Sequence, residues 1–221
     1  MHFFPARGAF PGRLSLKDRW EAFRNMNHGI PLWAGSLVQA LTRRLSSGER
    51  VLLAIDGGSA SGKTTLAASL HAHFPDSRVF HMDDFFLRPE QRSEARYAEP
   101  GGNVDRERFL SEVLLPASRG EDVTFRRFDC KTFSLEPPVS VKYRPLTIVE
   151  GAYSLHPALR GCYDLRVFLK IAPDLQRKRI EARNTPAQQS MFFERWIPLE
   201  QRYFEHCRPE EISDLVLEVD G

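Results

Sequence analysis

Gly57-Gly58-Ser59-Ala60-Ser61-Gly62-Lys63-Thr64 matches the phosphate-loop pattern G-x-x-x-x-G-K-[ST] at every fixed position. Glycines let the backbone curl until its N–H groups point inward at anionic oxygens. A helix starting inside the motif adds the positive end of its dipole. Lys63 can neutralise charge on the β- and γ-phosphates of a nucleoside triphosphate, and Thr64 can offer its hydroxyl to a magnesium ion. A nucleoside triphosphate and Mg2+ are therefore the expected occupants, with the phosphates on Gly57–Thr65, Thr65 included.

Acidic residues that could serve a phosphoryl transfer follow downstream. Asp83 and Asp84 lie just past an apolar stretch, in His81-Met82-Asp83-Asp84-Phe85-Phe86. Ligands of open parallel sheets bind at the carboxyl ends of the strands, which sets this pair near the phosphate loop. An aspartate there can take the proton of an attacking hydroxyl or hold the metal through water; a plain polar turn with an N-capping aspartate is the competing reading. Glu150 closes the apolar run Leu146–Val149, the position of a carboxylate that helps hold the metal. Arg179 and Arg183 are four apart and share one helical face, where they could clamp the transferring group; Arg177 and Lys178 read as a solvated face. His71 and His73 are two apart on a helix and point different ways, which argues against a metal pair. His156-Pro157 reads as a helix start, and Trp196, Tyr203 and Phe204 read as core.

These groups need a frame. Val51–Ile55 is wholly apolar, as for a strand buried on both faces, and a helix pattern follows from Lys63 to Phe74. Further strands are expected at Arg78–His81, Leu146–Val149, Leu165–Ile171 and Leu215–Val219. Between them lie helix patterns at 32–47, 106–118, 173–183 and 188–207. Val123–Phe128 and Val139–Val141 suggest a small ribbon, and Arg88–Asn103 a mobile polar loop. Alternating strands and helices predict an α/β protein, a three-layer P-loop NTPase fold with a mainly parallel sheet flanked by helices. Residues 1–31 read as an irregular extension with a short helix around 16–25, and 32–221 as one domain.

The 221 residues carry a net charge of +2, with 42% apolar and 27% charged. That composition excludes a largely disordered or fibrous chain and argues against a dedicated nucleic-acid binder. No apolar run approaches the ~20 residues of a membrane span, and the first residues lack a signal-peptide core. Three distant cysteines without a CxxC pair fit reduced thiols and a cytoplasmic location. The expected partners are a small-molecule acceptor and a nucleoside triphosphate; self-association is left open.

The four pieces Gly57–Thr65, Met82-Asp83-Asp84-Phe85-Phe86, Val149-Glu150-Gly151 and the arginine helix ending Arg183-Asn184 resemble the uridine kinase family of P-loop phosphotransferases, related to phosphoribulokinase and pantothenate kinase. The resemblance runs from about residue 50 to 219. It implies a kinase in which Asp83 is the catalytic base, Lys63 and Thr64 serve phosphates and Mg2+, and Glu150 supports the metal. It further implies that Arg179 and Arg183 lead into a mobile lid at about 184–195, and that Asp105 contacts sugar hydroxyls. Asp84 and Arg179 are further candidates for acceptor contact, and Arg183 for catalysis. The chain departs from the family where a Tyr-Asp pair and a His help read the pyrimidine: here stand Phe128-Asp129 and Phe133. The lid also loses the family's Arg/Gly-rich stretch. The expected reaction is ATP- and Mg-dependent phosphorylation of a small-molecule hydroxyl, with a nucleoside as first choice. The alternatives are a non-nucleoside acceptor such as pantothenate or a sugar phosphate, and a regulatory NTPase. No guanine-specifying Asn-Lys-x-Asp pattern occurs.

Overall fold

Strand β1 (Val51–Gly57) is buried at every residue, because both of its faces are covered. Its side chains alternate between two cores. Leu52 and Ala54 pack on one side with Phe80, Met82, Phe109 and Tyr203. Val51, Leu53 and Ile55 pack on the other with Leu37, Leu41, Leu66 and Leu70. A continuous apolar run is what such a central strand requires. The computed structural model describes residues 29–220; the expected helix around 16–25 lies outside the described residues.

Five parallel strands form the sheet in the order β2 (Ser77–His81), β7 (Leu146–Glu150), β1, β8 (Leu165–Ile171), β9 (Leu215–Val219). Helices α1 (Gly35–Ser46) and α2 (Lys63–His73) cover one face. The other face is covered by α4 (Arg106–Phe109), continued through a π-helical turn at Leu110–Leu114 into α5 (Leu115–Ser118), and by α8 (Ile197–Cys207). The expected three-layer P-loop arrangement is what the chain adopts. Asp105 caps α4 by accepting from the Arg108 N–H at 3.1 Å, the role its residue type favours.

Some boundaries differ from the sequence reading. Ile30 is part of the same core cluster as Leu217 and Val219. The stretch 88–103 is not a plain mobile loop: it contains a 3-10 turn (Pro89–Gln91) and α3 (Glu94–Ala98). Arg96 pins it by donating to the Gly102 and Val104 carbonyls, each at 2.9 Å, and by a bidentate pair with Glu107 at 2.8 and 2.7 Å. The small ribbon divides in two: β3 (Val123–Phe125) pairs with β6 (Val139–Val141), and β4 (Phe128–Asp129) with β5 (Ser134–Leu135). Helix α6 (Pro173–Arg183) has the expected ends. The next helix starts two residues early, as α7 (Pro186–Met191), because Thr185 and Gln188 form a reciprocal capping box. A π-turn at Phe192–Trp196 then leads into α8. Cys130, Cys162 and Cys207 are free thiols, and among the described residues no helix is long and apolar enough to cross a membrane.

Candidate active site

The phosphate loop joins β1 to α2 through two glycines in positive φ. Gly62, the residue before α2, sits at φ 96°. Gly57 sits at φ 143°, with the Leu169 backbone so close that no Cβ fits. Both requirements follow from curling a chain tightly around an anion. Lys63 Nζ donates to the carbonyls of Gly57 and Gly58, each at 2.9 Å, which folds the ammonium over the loop.

β1, β7 and β2 all end at this loop, which brings the acids together. The Thr64 hydroxyl donates to Glu150 Oε1 at 3.1 Å, and His81 Nδ1 lies 2.6 Å from the same oxygen. Glu150 is only 5% exposed, and its carboxylate holds His81 above the usual imidazole value. Two hard oxygens at that separation fit neighbouring positions around Mg2+, whose ~2.1 Å bonds place adjacent octahedral ligands about 3 Å apart. No group of three or more His, Cys, Asp or Glu residues among the described residues could hold a metal, and His71 instead bonds the Ser77 hydroxyl at 2.7 Å.

Lys63, Thr64, Thr65, Asp83, Glu150 and Arg183 line one chamber of about 190 Å³, with Phe192 among the other lining residues. Asp83 meets solvent there but is hemmed in by protein. Loss of hydration pushes its carboxyl up, Lys63 pulls it back, and Glu150 adds to the rise. A base with a raised pKa is better matched to taking a hydroxyl proton near neutrality.

Three expected acceptor contacts are placed elsewhere. Asp84 lines neither this chamber nor the one described below, and pairs with Arg127 at 3.3 Å. Asp105 is 1% exposed and enclosed by Arg88 and Arg108, at 3.5 and 3.4 Å; its cap role holds it in the core. Arg179 donates to the carbonyls of Ala60 and Asp220, at 3.2 and 2.9 Å, so it braces the phosphate loop from outside the cleft. Trp196 is not core either. It half-emerges against Phe86, with ring centres 6.2 Å apart, and lines a second chamber of about 260 Å³. Tyr203 is core, as expected.

Two acids escaped the sequence reading. Asp56 is fully buried and accepts from the N–H groups of Gly57 (2.6 Å), Tyr153 (3.2 Å) and Leu155 (2.9 Å) and from the Tyr203 hydroxyl (2.7 Å). Its signal was a carboxylate ending an apolar strand. Glu200, 4% exposed, takes the Ser59 N–H at 2.9 Å and the Ser59 hydroxyl at 2.6 Å. Burial pushes both acids up. Nothing in the local sequence marks Glu200, since its partner lies 141 residues away.

No family model matches the chain. It is 28% identical to a uridine kinase from Brevibacillus brevis over 141 residues, covering 60% of this chain and 65% of that protein. It is 27% identical to a uridine kinase from Clostridium novyi over 135 residues, covering 57% and 64%. The matches thus span just under two thirds of those relatives' length. Among solved structures, a candidate uridine kinase from Bacillus stearothermophilus superposes with a TM-score of 0.58 at 22% identity, over 80% of this chain and 99% of that one. A candidate fructose transport system kinase from Silicibacter sp. TM1040 superposes with a TM-score of 0.61 at 23% identity, over 85% and 99%. The chain therefore resembles uridine kinase-like P-loop kinases in sequence and shares their fold.

Proposed function

With that resemblance as the premise, we propose that the protein transfers the γ-phosphoryl group of ATP to a hydroxyl of a small molecule. The carrying observation is the single chamber in which Lys63, Thr64, Asp83, Glu150 and Arg183 converge. The triphosphate lies along Gly57–Thr65, held by backbone N–H groups and Lys63. Thr64 and Glu150 would hold Mg2+, which would supply positive charge to offset that of the triphosphate. Asp83 accepts the proton of the attacking hydroxyl, and Arg183 faces the charge that spreads over the transferring group. Catalysis comes mainly from positioning, since phosphoryl transfer needs little covalent help. The segment 184–195 contributes Phe192 to this chamber and Met191 and Arg195 to its neighbour, so it forms the roof that keeps competing water out.

Because the relatives are uridine kinases, a nucleoside is the first acceptor to try. Phe128 and Phe133 support the non-nucleoside alternative, because a site that reads a base edge needs polar groups there. The test is acceptor-dependent ADP release with Mg2+, using Lys63→Ala as the blank. A large rise with one acceptor class is expected, and Asp83→Asn should lower it about 10²–10⁴-fold while leaving ATP binding in place. Equal slow turnover with every acceptor would favour a regulatory NTPase instead.

A further inference from the structure

The second chamber lies beside the candidate catalytic aspartate. Phe86, three residues beyond Asp83, forms part of its wall, and the Asp83 charge acts on the Cys130 thiol at its rim. Four rings and a thioether face it: Phe86, Tyr97, Phe133, Trp196 and Met191. At about 260 Å³ it falls just below the ~300 Å³ typical of the smallest ligand pockets, so its occupant is small.

The charges in this chamber are of one sign. Among the described residues, Arg92 and Arg195 are the only charged ones lining it, and no carboxylate does. Arg195 stacks against Tyr97 and Trp196, its guanidinium carbon 5.7 and 5.2 Å from the ring centres. Among the described residues it forms no ion pair or side-chain hydrogen bond. Arg92 lies over Phe128 and Phe133 at 5.5 and 5.0 Å and donates Nε and Nη2 to the Leu87 carbonyl. It too lacks a carboxylate partner among the described residues. The other arginines of this region, Arg88, Arg96, Arg106 and Arg108, are all paired with acids. Asn103 completes the lining. It is 6% exposed, and its side chain bonds the Tyr153 phenol, so it offers little to a ligand.

We propose that the acceptor bound here is an anionic alcohol: a small hydroxy acid or phosphate ester whose carboxylate or phosphate meets Arg195 and Arg92. Its apolar body lies against the aromatic wall. The inference rests on the kinase reading for the fate of the hydroxyl, which faces Asp83. Arginine suits this task because its planar fork matches carboxylate and phosphate oxygens two at a time. A neutral base would leave both guanidinium groups uncompensated and find one buried polar side chain to recognise its edge.

Matched acceptors separate charge from shape: pantothenate against pantothenol, a hexose phosphate against the free hexose, and uridine as the neutral nucleoside. ADP release is expected only with an anionic member, and which pair responds tells carboxylate from phosphate. Arg195→Gln should raise the KM for that acceptor about 10–100-fold, the scale of one charged hydrogen bond, with a smaller change in kcat and none in the KM for ATP. Arg195 is exposed and forms no ion pair among the described residues, so this variant should fold. A neutral member working as well as its anionic partner would overturn the inference, as would a KM untouched by Arg195→Gln.

Binding is read separately by the rate at which iodoacetamide alkylates Cys130, an exposed thiol at the rim. If no acceptor raises ADP release but an anionic one protects Cys130 in the parent and not in Arg195→Gln, the kinase reading fails and the anion site stands. If neither turnover nor protection is seen with any anion, the anion site fails too.

Discussion

At the residue scale, environment decides what each ionisable group can do. Asp83 and Asp84 are neighbours of one type, yet Asp83 faces Lys63 and Glu150 across the phosphate chamber, whereas Asp84 is tied to Arg127. In the proposed reaction the first takes the proton, and the second has no part in it. His156 is a contrasting case, with no tie to the chemistry. Its Nδ1 accepts the Ala158 N–H at 3.1 Å, and its ring stacks on Tyr203, with centres 6.4 Å apart and planes at 9°. Burial, and then the charge of Arg106, push it from the usual 6.5 down to about 4. The folded state therefore keeps a neutral imidazole where the unfolded chain would already be protonated. The stabilisation is complete above pH 6.5 and is lost as the pH falls toward 4. Thermal unfolding midpoints over pH 7–4 should drop more steeply in the parent protein than in His156→Gln; parallel curves would show that the ring does not titrate as its surroundings demand.

At the element scale, α8 grips the phosphate loop at two points. Glu200 holds Ser59, and Tyr203, about one turn on, holds Asp56 at the end of β1. The same carboxylate of Asp56 fixes the backbone after β7 through Tyr153 and Leu155. The loop is thus shaped before any nucleotide arrives, by its hydrogen bonds to Glu200 of α8 and by the carboxylate of Asp56, which gathers donors from α8 and from the segment after β7. Tyr203→Phe keeps the ring in the core but removes one donor from a buried acid. It should cost ~1–3 kcal/mol, measured as a lower urea midpoint with an unchanged slope. Apolar strands were legible from sequence: β1 and β7, buried at every residue, show no polar alternation, and β8 and the edge strand β9 are found at the expected residues. The ribbon and the stretch 88–103 were less legible. Their order depends on Arg96 and Arg126 reaching backbone carbonyls several residues away, which no local pattern records.

At the scale of the whole molecule, the parallel sheet gathers the loop after β1, the acids after β2 and Glu150 of β7 at one edge. A ligand that binds there links strands distant in sequence, so it should stabilise the entire domain. With ATP and Mg2+ at about 100 times the dissociation constant, the gain is ~2.7 kcal/mol. For a chain of this size that corresponds to about 5–10 °C in Tm. The shift should shrink or vanish in Lys63→Ala; an equal shift in that variant would place the nucleotide elsewhere.

The sequence by itself determined the phosphate loop, the central strands and the acids Asp83 and Glu150, because each depends on residue types close together along the chain: a glycine-bounded turn, an apolar run, a carboxylate at a strand end. Only the tertiary structure decided that Asp105 is a buried cap, that Arg179 braces the loop, that Glu200 clasps Ser59, and that Trp196 faces a chamber with two arginines that lack a carboxylate partner among the described residues. Those facts are set by contacts between residues far apart in sequence, where burial and pairing reassign what a side chain can do.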